Sequence, residues 1–176
     1  METAQKLKAR IAKIKVLAMD VDGVLTEGHL IFDGEGREMK SFNVQDGFGI
    51  VILKRTGIKT AIITAGNSQV VKVRADYLHI DKLYLGAYPK IIAYDQMLKE
   101  LNVKDENVCF IGDDVTDCQI LKRVGFAIAV KNAVSEAKRG VHYVTKRCGG
   151  DGAVREVIEL ILKTQGTWQK AIAQDL

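Results

Sequence analysis

Short apolar runs alternate with stretches of helical period along this chain. Ile14–Met19 (IKVLAM), Thr60–Thr64 (TAIIT), Leu83–Gly86 (LYLG), Asn107–Gly112 (NVCFIG) and Phe126–Val130 (FAIAV) have the length of strands. They are apolar at successive positions, so both faces must be covered, as at the centre of a parallel sheet. Between them, Asp46–Gly57, Asn67–Ile80, Pro89–Asn102, Asp117–Gly125 and Gly152–Gly166 carry the 3–4 spacing of helices. Gly57 and Gly125 stand where helices end, and Pro89 suits a first helical turn. Met1–Lys13 (METAQKLKARIAK) reads as a short amphipathic lead-in helix. This alternation predicts an α/β fold: a three-layer sandwich around a mainly parallel sheet with right-handed crossovers.

One stretch breaks the rhythm. Glu27–Gln45 (EGHLIFDGEGREMKSFNVQ) sets β-prone segments on either side of DGEG, a turn signature that predicts a β-hairpin. It is too short for a second domain, so residues 1–176 are expected to form one domain without a large cap. Its apolar HLIF would be exposed unless something covers it.

Composition adds limits. The 176 residues are 47% hydrophobic and 27% charged with a single Pro, which describes an ordinary globular chain long enough to bury a core. The net charge of +4 is spread among acids, with no basic stripe of the kind nucleic acid requires. A small anionic substrate suits the surplus. Cys109, Cys118 and Cys148 form an odd set without CxxC spacing, as expected of a reducing compartment. No apolar run is long enough for a membrane span and no signal-peptide pattern is present, so a cytoplasmic protein is expected. His29, His79 and His142 lack metal-ligand spacing.

The chemistry gathers where strands end, because ligands of open parallel sheets bind at the carboxyl ends. The first run ends in Asp20-Val21-Asp22-Gly23, the second in Thr64, and the fourth in Gly112-Asp113-Asp114-Val115-Thr116-Asp117, while Lys90 opens the helix after the third. Singly, each acid reads as a helix cap, and Lys90 as a solvated residue. Together, carboxylates converging on one edge need neutralisation, which a hard divalent cation such as Mg²⁺ provides while keeping waters for a phosphate. A carboxylate in that setting can attack phosphorus. A second acid two residues on can protonate the leaving alkoxide and later deprotonate water. Lys90 and the Thr64 hydroxyl can hold phosphoryl oxygens.

These motifs resemble those of the haloacid dehalogenase superfamily: DVDGVLT its first, IIT its second, Lys90 its third and IGDDVTD its fourth. The resemblance implies that Asp20 is the nucleophile and Asp22 the acid/base. It implies that Asp20, Asp113 and the backbone carbonyl of Asp22 bind Mg²⁺, that Asp114 and Asp117 orient ligands and metal-bound water, and that Thr64, Gly66, Asn67 and Lys90 meet the substrate. Within the superfamily, DVDGVLTEG, FNVQDGFGI, GDDVTD and GGDGAVREVIELILKTQG look like the phosphatases of 3-deoxy-D-manno-octulosonate 8-phosphate. That likeness, from about Ile14 to Gly166, implies a sugar-acid phosphate substrate in lipopolysaccharide synthesis. It also implies a homotetramer whose hairpins form a central barrel and whose neighbouring subunits complete each active site.

One departure stands out. The family commonly has Gly-Arg after the second-motif hydroxyl, whereas this chain has Ala65-Gly66-Asn67 and so lacks that guanidinium. Arg147 and Arg155, beside the GGDG turn, are alternative sources of charge. A phosphatase of a nine-carbon, sialic-acid-type phosphate stays open as a second enzyme reading. A receiver domain is disfavoured because its acidic pair would end the first strand, and a silent relative because it would lack Asp20 or Asp22.

Overall fold

The computed structural model describes residues 4–176, so the first three residues of the expected lead-in helix lie outside it. The chain runs α1 (Ala4–Ile11), β1 (Val16–Met19), β2 (Ile31–Phe32), β3 (Glu38–Met39), α2 (Val44–Lys54), β4 (Lys59–Ile63), α3 (Gln69–Tyr77) and β5 (Lys82–Tyr84). It continues through α4 (Lys90–Leu101), β6 (Val108–Gly112), α5 (Cys118–Leu121), β7 (Phe126–Ala129), α6 (Ser135–Lys138), β8 (Tyr143–Val144), α7 (Ala153–Thr164) and α8 (Trp168–Ile172).

Six parallel strands form one sheet in the order β5-β4-β1-β6-β7-β8. Every residue of β1, β6 and β7 is buried, which is what their unbroken apolar character demanded. Helix α2 packs on α7 and α8, while α5 packs on α4 and α6, giving two helical groups around the sheet. The buried positions of α7, Ala153, Val154, Val157, Ile158, Ile161 and Leu162, form the stripe that a 3.6-residue period places on one face. The order matters for function. The chain builds leftwards from β1 through β4 to β5, then crosses back to β6, so the tips of β1, β4 and β6 surround the point where connections diverge.

Helix ends differ from the sequence expectation because caps, not periodicity, set them. Asn43 accepts hydrogen bonds from Gln45 and Asp46 backbone N–H groups, starting α2 before Asp46. Ser68 caps α3 in the same way. Pro89 stands at the N-cap of α4 with φ −65°, one residue ahead of the first turn. The helix expected over Asp117–Gly125 shrinks to Cys118–Leu121, preceded by a 3₁₀ turn.

Strands β2 and β3 pair antiparallel, Ile31 opposite Met39 and Phe32 opposite Glu38, around the Asp33–Gly36 turn. Asp33 fastens that turn by accepting from the backbone N–H groups of Glu35 and Arg37. Leu30, Ile31, Phe32 and Met39 are exposed, so the arm's apolar side chains have no cover among the described residues. All three cysteines are free, and among the described residues no helix is long and apolar enough to cross a membrane.

Candidate active site

The tip of β1 is a tight turn built on one acceptor. The Val21 carbonyl receives the backbone N–H groups of Val24, Leu25 and Thr26, and the Thr26 hydroxyl donates to it as well. Gly23 takes φ +91° in this turn, and a Cβ built there would lie 2.1 Å from Asp113 Oδ2. A side chain at position 23 would therefore drive apart the first and fourth motifs.

Around that turn, the structure gathers Asp20, Lys90, Asp113 and Asp117. Lys90, buried at the start of α4, reaches Asp20 Oδ2 at 2.9 Å and Asp117 Oδ1 at 2.7 Å. Asp117 is fully buried, and its Oδ2 accepts the backbone N–H groups of Asp113 (3.0 Å) and Asp114 (3.3 Å). Both Asp117 oxygens are thus engaged in bracing. Asp114, by contrast, is exposed and caps the 3₁₀ turn through Val115 N–H at 2.6 Å.

Carboxylate oxygens of Asp20, Asp113 and Asp117 lie within 4.8 Å of one another. Two buried oxygens there, Asp20 Oδ1 and Asp113 Oδ1, have no hydrogen-bond partner among the described residues. Buried acceptors are nearly always satisfied, and a pair left bare on converging carboxylates fits a cation. The electrostatics agree. Burial, reinforced by the charge of Asp117 and only partly offset by Lys90, raises the Asp20 pKa to about 6. Burial together with the charges of Asp20 and Asp117 raises that of Asp113 to about 8. A divalent ion would hold both groups ionised.

Thr64 follows β4, buried, with its Oγ1 accepting the Gly66 N–H at 3.2 Å. An ideal Cβ on Gly66 would sit 3.5 Å from Asp22 Oδ2 and 3.6 Å from Thr64 Oγ1, so the second motif borders the Asp22 carboxylate. Asn67 is exposed beside them.

Residues 53–158 match the family described as haloacid dehalogenase-like hydrolase. The chain belongs to the haloacid dehalogenase-like hydrolases. The 3-deoxy-D-manno-octulosonate 8-phosphate phosphatase of Escherichia coli K12 is 39% identical over 168 residues, spanning 96% of this chain and 89% of that protein. The corresponding phosphatase of Yersinia pestis is 42% identical over 156 residues, spanning 89% of this chain and 83% of that protein. Among solved structures, the Moraxella catarrhalis phosphatase of that name, in complex with magnesium, phosphate and a KDO molecule, superposes with a TM-score of 0.95 at 39% identity. It covers 99% of this chain and 100% of that one.

Three features of this haloacid dehalogenase-like site escape a reading of the sequence. Gly149 and Gly150 read as a turn ahead of α7, yet they are the seat of the β1 loop. Gly150 N–H donates to Val24 O at 2.9 Å, and a Cβ on Gly149 would fall 1.6 Å from the Gly23 carbonyl oxygen. Asp46 is buried and ties α2 to α7, accepting from Arg155 N–H at 2.7 Å and Gly152 N–H at 3.3 Å. Finally, Lys40 of the hairpin reaches Asp22 Oδ1 at 2.5 Å and Glu38 Oε1 at 2.9 Å. Burial disfavours its ammonium, but the two carboxylates outweigh that and hold its pKa above the ordinary value. The alternative cations are engaged elsewhere: Arg155 with Glu159 and the Trp168 ring, Arg147 with Gln45.

Proposed function

We propose that this chain is a Mg²⁺-dependent phosphatase that hydrolyses 3-deoxy-D-manno-octulosonate 8-phosphate to the free sugar acid and inorganic phosphate. The observation that carries the reading is the pair of bare buried oxygens on Asp20 and Asp113, set beside a buried Lys90 at the strand tips. Asp20, Asp113 and the Asp22 backbone carbonyl would hold the ion. When bound, Mg²⁺ supplies positive charge against the phosphoryl oxygens.

In the first step one Asp20 carboxylate oxygen attacks phosphorus. An aspartyl-phosphate bond forms, the phosphoester bond breaks, and Asp22 gives its proton to the departing alkoxide oxygen. In the second, Asp22 takes a proton from water, whose oxygen attacks phosphorus. The aspartyl-phosphate bond breaks, phosphate leaves and the Asp20 carboxylate is restored. Lys90 and the Thr64 hydroxyl bind equatorial phosphoryl oxygens, Gly66 and Asn67 offer hydrogen bonds to the substrate, and Asp114 and Asp117 orient ligands around the ion.

The substrate for which the relatives are named favours the eight-carbon sugar acid over the nine-carbon alternative. Phosphate release measured side by side on the two sugar phosphates should favour the eight-carbon compound by roughly tenfold or more in kcat/KM. The reverse ranking would reassign the substrate, and no release from either would remove the function.

Cytoplasmic lipopolysaccharide synthesis and a homotetramer with shared active sites belong to the same proposal. The assembly is supported by the hairpin, on which Leu30 and Phe32 are 68% and 58% exposed. Sedimentation equilibrium should give four times the 19.4 kDa chain mass, and Phe32→Asp should shift it towards smaller species. A clean parent monomer would refute the shared-site arrangement.

A further inference from the structure

Strand β3 is inside out. A two-residue period places Glu38 and Lys40 on one face and Met39 on the other. The Lys40 side chain is the enclosed one, 2% exposed, while Met39 is 49% exposed. A desolvated ammonium persists only when paired and hydrogen-bonded. Lys40 meets Asp22 Oδ1 at 2.5 Å and Glu38 Oε1 at 2.9 Å, and Ser68 Oγ donates to Glu38 Oε2. This chain of contacts joins the first motif, the hairpin and the N-cap of α3.

The pairing is asymmetric at Asp22. Oδ1 is taken by Lys40, whereas Oδ2 borders Gly66 and the Thr64 hydroxyl. The Asp22 side chain is 35% exposed, and the only hydrogen bond or ion pair found for its carboxylate among the described residues is with Lys40.

We propose that Lys40 is a positioning residue for the phosphatase reaction: it holds the Asp22 carboxylate by Oδ1 so that Oδ2 is the oxygen that exchanges a proton with the leaving group and with water. Glu38 and Ser68 fix Lys40 in turn. The hairpin then has two separate duties: its exposed apolar side chains serve assembly, and the enclosed Lys40 with Glu38 serves the chemistry. The inference rests on the proposed acid/base role of Asp22 and adds to it the residue that aims that group.

The test exploits leaving groups. An alkyl phosphate needs a proton on its departing oxygen, whereas p-nitrophenolate leaves without one, and kcat/KM reports the steps through first P–O cleavage. Lys40→Met should lower kcat/KM on the sugar phosphate by about 30- to 100-fold and on p-nitrophenyl phosphate by less than about threefold. In an Asp22→Asn background, Lys40→Met should cost less than about threefold further on the sugar phosphate, because the group it aims is gone. Sedimentation should stay at the parent value. Should Lys40→Met unsettle the arm, Glu38→Gln keeps the Lys40–Asp22 contact while loosening it, and the same selectivity should appear at smaller amplitude. Equal losses on both substrates, or additive losses with Asp22→Asn, would overturn the inference. Failure here with an inactive Asp20→Asn variant leaves the phosphatase reading standing. An active Asp20→Asn variant removes that reading instead.

Discussion

Replacing Asp20 with Asn should reduce phosphate release by at least about 10⁴-fold while leaving a protein that, without metal, melts no lower than the parent. The two halves of this result have one cause. Asp20 is almost fully buried against Asp113 and Asp117, and its pKa rises to about 6, first through burial and then through the charge of Asp117. A folded pKa above the unfolded value means that protonation of the group favours folding, in full only below the usual carboxylate range. That contribution is lost as pH rises through about 6. At pH 7.5 the ionised Asp20 therefore opposes the apo fold, by an amount on the order of 1–3 kcal/mol. Asparagine removes the charge, and its carbonyl can still accept from Lys90, which keeps its 2.7 Å contact with Asp117. The carboxamide, however, offers phosphorus no nucleophile. Phosphate-release assays and calorimetry in EDTA read the two halves separately. Turnover within about tenfold of the parent would eliminate Asp20 as nucleophile. A fall of more than about 5 °C in melting temperature would show that the Lys90–Asp20 pair stabilises the fold outright.

The strands that carry this chemistry were legible because their surroundings are uniform. Residues buried on both faces leave an unbroken apolar signature, as in Val16–Met19 and Val108–Gly112. Strand β8, with two residues, and helices α6 and α8, with four and five, are too short for any period to register. The acidic cluster was legible as a group but not residue by residue. Asp114 and Asp117 sit in one GDDVTD motif, yet one is an exposed cap and the other a buried brace with both oxygens engaged. That distinction depends on where the 3₁₀ turn points each side chain. Lys40 was hidden for a different reason. Its neighbours read as a surface hairpin, and only the folded arm reveals that the charged side chain points in and Met39 points out. Gly149 gives no local signal either, since its need for a bare Cα arises from Gly23, more than a hundred positions earlier.

Removing the metal should silence the enzyme, and the stability that returns with Mg²⁺ should depend steeply on pH. Asp113 rises to about 8, through burial first and then the charges of Asp20 and Asp117, while Asp20 rises to about 6. Both folded values lie above the unfolded one, so protonation supports the apo fold at acidic pH. That support drains away as pH climbs through about 6 and then about 8. Mg²⁺ requires the ionised forms, so below these values it must displace protons before it binds. At pH 8 Asp20 is ionised and Asp113 about half ionised, so few protons must be displaced and the ion gains from relieving the repulsion between the two carboxylates. At a hundredfold excess over its Kd, a ligand of the native state contributes about 2.7 kcal/mol. For a chain of this length that corresponds to a melting shift of roughly 5–10 °C. At pH 5.5 the same Mg²⁺ concentration should shift the melt by less than about 2 °C. Measuring the shift with and without Mg²⁺ at each pH cancels groups that titrate elsewhere in the fold. Asp113→Asn provides the control, since it removes the higher of the two titrations and should flatten the pH dependence of the metal-induced shift. Equal shifts at pH 5.5 and 8, or turnover that survives EDTA, would mean that the bare oxygens of Asp20 and Asp113 serve something other than a cation.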